Sequence, residues 1–398
     1  MGKHIVIITT AQPSSNPRMR KEADALASAG HLVHVLYAFN ARWAEEADKA
    51  ILSRALWTHE RIGGSPVSGK GQYFLSRIRR KIFAVIGHSG EAHCRGYGQY
   101  VRIIRQRRPH LVIGHNPGTL PILTRIQKDV GIPVLFDAED FHRGEFAAGS
   151  DSATSVMRLE DEHLTQLNAI SAASPLIGEA YAKLYPHLRV STINNAFDRT
   201  LQPGFKSNPE DGLRFVWFSQ VIGPDRGLQP FLELLGKFGA CPVELTLIGQ
   251  ATQGVRDELT ERANRVHCTL RFQPPLPESD LVEFLSHHHF GLALEQGKTV
   301  NRQICRTNKL FVYPLAGLAT LATATQAQVE FFDEHPSAGS TFSSEEDLLQ
   351  QLHHWAENRE ELESCRKRAW QLAQNHLNWE AESGVLLSLV NELTETAA

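Results

Sequence analysis

Short apolar runs alternating with helix-period segments constrain this chain more than any other feature. The first run, "HIVIITT" (4–10), is rich in β-branched residues. A loop follows, then "PRMRKEADALASAG" (17–30), which has helical spacing, with Pro17 at its start and Gly30 at its end. "HLVHVLYA" (31–38) reads as the next strand. Strand, helix and strand joined by short links make a βαβ unit, which requires a parallel sheet. Further strands are predicted at 111–115, 134–138, 169–173 and 190–194, with helices such as 117–130 and 175–184 between them. Residues 60–90 break the rhythm and read as an excursion from the sheet.

"LQPGFKSNPEDG" (201–212) is polar and rich in Pro and Gly, which marks a linker between domains. The alternation then restarts, with strands at 214–219, 243–249, 268–273, 290–294 and 319–323 and helices near 225–238, 253–264, 278–287 and 308–316. A length of 398 residues also fits two cores better than one. The expected fold class is α/β, with two facing Rossmann-like doubly wound domains. Such sheets bind ligands beyond the carboxyl ends of their strands, so a cleft between the domains is expected. The tail, 344–398, reads as helical, and "NWEAESGVLLSLVNEL" (378–393) is amphipathic.

Composition narrows the setting. The formal net charge is −3, so bulk electrostatics give no reason to expect a nucleic-acid partner. The 5 cysteines (94, 241, 268, 305, 365) are scattered without a CxxC pair, which favours reduced thiols and a cytoplasmic setting over a disulfide scaffold or a zinc site. No run reaches the ~18 apolar residues of a membrane span, and Met1-Gly-Lys-His leads straight into a strand, so no signal peptide is expected. Membrane contact would be peripheral. "FLSRIRRKIFAVI" (74–86) lets Phe74, Ile78, Ile82 and Val85 share a helix face, with Arg77, Arg80 and Lys81 elsewhere, which suits an anionic surface. The plainer expectation is a basic helix lying on the protein's own core.

The candidate site residues stand where strands end and helices begin. In "TTAQPSSNPRMR" (9–20), Ser14, Ser15 and Asn16 offer donors and Arg18 and Arg20 offer charge, beside the unpaired N–H groups of a helix start. The segment reads either as an anion or sugar contact or as an N-cap with exposed arginines. It has no GxGxxG, which disfavours a dinucleotide dehydrogenase. His115, at the end of a strand in "GHNPGT", suits substrate hydrogen bonding or proton transfer, or else a structural place in the fold. "FDAEDFHRGEF" (136–146) places Asp137, Glu139, Asp140 and His142 at the next strand end, a cluster suited to hydroxyl recognition or base chemistry but without tight metal-ligand spacing. In "SQVIGPDRGLQPFLELL" (219–235), Gly223 and Pro224 make a turn, Asp225 caps, and Arg226 falls in the first helical turn. A cation there opposes the helix dipole and is better explained by a bound phosphate. The same logic applies to "NRQICRTNKLFVYPLAG" (301–317), where Arg306, Thr307, Asn308 and Lys309 crowd a helix start and Asn308 is the expected cap. Glu295 stands just past a strand, where it would hold sugar hydroxyls or stay solvated. Thr325 is the expected cap of the next helix, with Glu330 inside it, solvated or turned to a ligand.

Taken together, "SSNPRMRKEADALASAGHLVHVL", "IGPDRGLQPFLELL", "NKLFVYPLAGLATLAT" and the closing "NWE" resemble family 4 retaining glycosyltransferases of the GT-B fold, over nearly the whole chain. The resemblance implies an acceptor domain at 1–200, a donor domain at 201–375 and a final helix, 376–398, crossing back to the first. It implies a nucleotide-diphosphate sugar as donor, a carbohydrate or lipid-linked acceptor, retention of configuration, and no cofactor or metal besides the donor. It further suggests a role in polysaccharide biosynthesis in the cytoplasm or at the inner face of the membrane. Donor contacts would fall to Gln220, Gly223, Arg226, Glu295, Asn308, Lys309 and Glu330. Acceptor contacts would fall to Ser15, Asn16 and Arg18, and the reaction centre to His115, Glu139 and Asp140. Departures from the family pattern are specific. Gln220 stands where the family has the first of two diphosphate cations, with Arg226 at the second. Val312 stands where a ribose-binding Glu is usual, and Ile304 replaces that residue's partner eight positions earlier. Two alternatives stay open: a non-catalytic binding or assembly subunit, and a GT-B nucleotide-sugar epimerase.

Overall fold

The computed structural model describes residues 2–87, 89–207 and 211–395, so positions 208–210 of the polar segment and 396–398 of the tail lie outside the described residues. The chain divides into two compact units, one of residues 1–194 with 383–398 and one of residues 195–382. The first division falls ahead of the polar segment 201–212. The second falls inside the last helix, Trp379–Glu395.

The first unit is built on seven described strands: β1 (His4–Thr9), β2 (Leu32–Ala38), β3 (Thr58–Ile62), β4 (Leu111–His115), β5 (Val134–Ala138), β6 (Ala169–Ala172) and β7 (Arg189–Thr192). All pair in parallel, in the order β3-β2-β1-β4-β5-β6-β7. Ile5, Val6, Ile7 and Ile8 are all buried, as expected when helices cover both faces of a parallel sheet. The order reverses between β1 and β4, and that switch point is where an open α/β sheet leaves a crevice at its carboxyl edge. Residues 60–90 hold the end of β3 and the helix Lys70–Ile86. β3, "THERI", is the edge strand and only Ile62 in it is buried. With one side unpaired and a half-wet surface, such a strand needs no apolar run.

The second unit repeats the plan with β8 (Leu213–Val221), β9 (Val243–Gln250), β10 (Cys268–Gln273), β11 (Phe290–Ala293), β12 (Ala319–Thr323) and β13 (Gly339–Phe342), ordered β10-β9-β8-β11-β12-β13 and parallel throughout. Phe215, Trp217, Leu245 and Leu247 point to one face, against the helix Leu228–Phe238. Val216, Ile248 and Ala293 point to the other, against the helix Lys309–Leu315. This is the two-residue alternation of a strand buried on both sides. Gly291 is required by that second face: a Cβ there would lie 2.1 Å from the Tyr313 ring, which lies across β11 and donates its hydroxyl to the Leu292 carbonyl at 3.0 Å.

The predicted helix 225–238 is split. Pro224–Arg226 form a separate 3-10 turn, Asp225 has non-helical dihedrals, and Gly227 at φ 74° redirects the chain into the helix Leu228–Phe238. Among the described residues, no helix is long and apolar enough to cross a membrane.

Candidate functional site

The switch point of the second unit lies between β8 and β11, and the loops leaving these strands carry a concentrated set of charges. Glu295, two residues beyond β11, accepts from Lys309 Nζ at 2.8 Å and from Arg302 Nη1 at 3.0 Å. Its backbone is pinned by Thr323, whose hydroxyl donates to the Glu295 carbonyl at 2.7 Å. Burial pushes the Glu295 carboxyl up, but Lys309, Arg302 and Arg226 together hold it below its ordinary value. Lys309 sits at the first position of its helix, where a cation opposes the dipole. Glu295 offsets that penalty, and the ammonium also rests 5.6 Å from the Trp217 ring and 5.9 Å from the Phe218 ring.

Asp225 does not cap the next helix; it pairs with Lys298. Arg226 therefore precedes the helix rather than standing in its first turn. It is half-buried and makes no hydrogen bond or close ion pair among the described residues, although its charge acts on both Asp225 and Glu295. The helix behind it starts at Gly227 with no side-chain cap, so its first N–H groups remain available. Arg226, Lys298, Arg302 and Lys309 face the carboxylates Asp225 and Glu295, four cations against two anions. That surplus suits a bound dianion. Gly223 forms the turn into this segment, and Gln220 lies exposed near the end of β8.

Gly227 is what lets the turn approach β11. A Cβ at this position would meet Gln296 Nε2 at 2.7 Å and the Leu294 carbonyl at 3.0 Å, in a left-handed conformation. Gly227→Ala is expected to cost about 1–2 kcal/mol from the dihedral alone, read as a lower midpoint in equilibrium denaturation. An unchanged midpoint would mean that the turn is not constrained as described.

Three expectations for this unit are corrected. Arg306 is not an anion ligand at the helix start: it is buried and bound to Glu330 at 3.0 Å and Glu334 at 2.7 Å, over the Phe331 ring. Glu330 is correspondingly partly buried and engaged by Arg306. Asn308 makes no side-chain cap; it is exposed, and the helix begins at Lys309 without one. Thr325 does cap its helix, accepting from Gln328 N. Val312 is fully buried in the apolar cluster on the second face of the sheet. Lys298, Arg302 and Trp217 escape the sequence reading; the signal for Arg302 was its spacing of seven from Glu295.

The carboxyl edge of the first sheet behaves differently. Thr9, His115, Asp137 and Ser171 stand side by side across β1, β4, β5 and β6. Arg18 reaches down from the helix Pro17–Ser28 and grips Asp137 with two hydrogen bonds of 2.7 Å, with a third of 2.7 Å to the Ile193 carbonyl. Glu22, one turn on, lies 3.1 Å from His115 Nε2, and His115 Nδ1 lies 3.2 Å from Asp137. Arg18, Glu22, His115 and Asp137 are all buried. Burial lowers the His115 pKa, but Glu22 and Asp137 outweigh it and raise the imidazole to about 10. Burial and Asp137 push the Glu22 carboxyl up, against the pull of His115 and Arg18. Arg18 and His115 are thus interior groups, and neither is the exposed arginine or free histidine that the sequence allowed. Ligand atoms of Glu22, His115 and Asp137 lie within 4.8 Å of one another, close enough for a metal ion. Arg18 and protonated His115 already supply the positive charge there, so the set fits an ion-pair lock better than a metal.

The first loop also spends its donors internally. Asn16 caps its helix by accepting from Met19 N at 3.0 Å, and Ser15 closes a turn with its hydroxyl on the Gln12 carbonyl at 2.9 Å. Glu139 and Asp140, both partly buried, stand just past the end of β5. Burial, Asp137 and Asp140 raise the Glu139 pKa against the pull of His115 and His142. Glu22, which the sequence reading overlooks, stands at i+4 from Arg18 on the same helix face.

Residues 242–387, within and just beyond the second unit, match the family described as "Glycosyl transferase-like". No curated protein matches the sequence significantly. Solved structures match over the full length. Anabaena HepE in complex with UDP and glucose has 14% identity, a TM-score of 0.69, and coverage of 98% of this chain and 100% of the other. A Rickettsia africae glycosyltransferase has 11% identity, a TM-score of 0.68, and coverage of 99% of both chains. Sucrose-phosphate synthase from Thermosynechococcus elongatus has 13% identity, a TM-score of 0.69, and coverage of 99% and 100%. The fold is GT-B. Two parallel-sheet α/β units, each with its own switch point, are the GT-B elements that the sequence and the topology both describe.

Proposed function

We propose that this GT-B chain is a glycosyltransferase that uses a nucleotide-diphosphate sugar and transfers the sugar, with retention of configuration, to a carbohydrate or lipid-linked acceptor. The observation that carries the reading is Arg226, a half-buried guanidinium without a close ion partner among the described residues, whose charge acts with that of Lys309 on Glu295 and which precedes an uncapped helix start. Negative charge grows on the leaving diphosphate as the glycosidic bond breaks, so fixed cations at that point stabilise the transition state more than the ground state. Lys309 is poised to turn from Glu295 toward the phosphates, and Glu295 then becomes available to sugar or ribose hydroxyls. Glu139 and Asp140 are the first unit's candidates for acceptor or sugar hydroxyls. UDP is the first nucleotide to test, because solved neighbours hold UDP and UDP-glucose.

A second reading is a glycosyltransferase-like subunit that binds without turnover. It is favoured by buried Val312, which leaves the usual ribose carboxylate without a replacement at that position. Thermal-shift titration with uridine, guanosine and adenosine diphosphates and their sugars tests both. At least one should raise the Tm, since a ligand at about 100 times its Kd adds ~2.7 kcal/mol. No shift with any would remove the donor site. A shift without transfer or hydrolysis of any donor would select the second reading. NMR of the product anomer tests retention.

A further inference from the structure

The helix Lys70–Ile86 leaves its apolar face in solvent. Phe74, Leu75, Ile78, Ile82, Val85 and Ile86 are exposed at between 50% (Ile82) and 89% (Val85) of their surface. At 3.6 residues per turn these six fall within about 120° of arc. The opposite side is the one that meets the protein: Ser76 is buried and donates to the Gly63 carbonyl at 3.1 Å. The basic-helix-on-its-own-core expectation is therefore overturned, because the helix lies on the protein with its apolar stripe outward.

The cations of the helix border that stripe. Lys70, Arg77 and Lys81 line one edge and Arg79 the other, and the segment 70–86 contains five Lys or Arg and no Asp or Glu. Arg79 reaches Glu91 at 2.9 Å, and Arg77 reaches the Tyr73 hydroxyl at 3.1 Å. An outward apolar centre with basic edges is the pattern of a helix that lies in a bilayer interface, apolar residues among acyl chains and long cations extended to the headgroups. At 1.5 Å per residue the helix presents a strip about 25 Å long. A second copy of the chain would fit badly, since pairing the faces brings Lys70, Arg77 and Lys81 of both copies together with no acidic residue on the helix to oppose them.

We infer that the helix Lys70–Ile86 docks the protein onto an anionic lipid surface. The inference goes beyond the donor chemistry and does not depend on it, because lipid binding is measurable without nucleotide or acceptor. The test is co-sedimentation of the full chain with vesicles of phosphatidylcholine alone or mixed with phosphatidylglycerol. Binding should favour the anionic vesicles by on the order of tenfold and weaken as salt is added. Ile78→Asp/Ile82→Asp should lose on the order of tenfold in binding while its Tm stays unchanged, as both side chains are exposed. Arg77→Glu/Lys81→Glu should remove the preference for phosphatidylglycerol. Wild-type protein left in the supernatant with both vesicle types overturns the inference, as does an Ile78→Asp/Ile82→Asp variant that binds like the wild type. A wild-type dimer, seen by light scattering, that this variant converts to monomer also overturns it, in favour of pairing between copies. Nucleotide binding unaffected by these variants keeps this outcome separate from that of the donor site.

Discussion

Arg18→Met is expected to destabilise the first unit by about 3–5 kcal/mol, the scale on which a buried ion pair fails when one partner is removed. The substitution keeps most of the aliphatic volume but deletes three short hydrogen bonds, two to Asp137 and one to the Ile193 carbonyl. Two buried carboxylates would then share one imidazolium. The same quartet sets a pH dependence. His115 has its pKa raised to about 10 from the ordinary 6.5, so its contribution is complete below pH 6.5 and is lost as pH rises toward 10. Burial pushes Asp137 up, yet Arg18 and His115 hold it well below the usual carboxylate range. Its contribution is therefore present above the ordinary carboxylate pKa and lost only in strong acid. Urea denaturation across pH should show a decline between about 6.5 and 10, and His115→Gln should flatten it. A loss under about 0.5 kcal/mol in Arg18→Met, within the range of an ordinary surface change, would show that the quartet is not a lock.

Arg226→Ala is expected to weaken nucleotide-diphosphate binding by about 1.5–3 kcal/mol, the worth of hydrogen bonds to a charged group. Calorimetry with the diphosphate identified by thermal shift measures it. The effect should be confined to ligand, because Arg226 holds no close partner whose loss would disturb the fold, and the Tm without nucleotide should stay put. Part of the wild-type affinity should disappear with added salt, and less in the variant, since one cation facing the phosphates is gone. Unchanged affinity would remove Arg226 from the site and leave Lys309 with the helix start as the anion contact. Lys309 is a poorer single probe, because removing it also takes one of two cationic partners from Glu295 and leaves Arg302 alone.

Much of the fold was legible because parallel strands covered on both faces are written as continuous apolar runs. β1, β4 and β5 read at once for that reason, as did the restart after the polar segment. The strands that escaped, β3 "THERI" and β13 "GSTF", are edges with half-wet surfaces and carry no such run. Helix bounds failed where backbone dihedrals rather than side chains decided them. The turn Pro224–Arg226 looks helical in composition, yet Gly227 breaks it. For the candidate residues, spacing gave position and said nothing of role. His115, Arg18, Arg226 and Lys309 all stand at strand ends or helix starts, where spacing places them.

Two doubly wound parallel sheets, the strand ends that carry polar groups and the basic apolar helix near residue 78 follow from the order of residues alone, because periodicity and local chemistry are properties of neighbours along the chain. Tertiary structure alone decided which charges are spent. Arg18 finds Asp137, Arg306 finds Glu330 and Glu334, and Arg226 finds no close partner. A guanidinium carries the same charge in each place, and whether it locks a core or awaits an anion depends on carboxylates brought to it from distant parts of the chain.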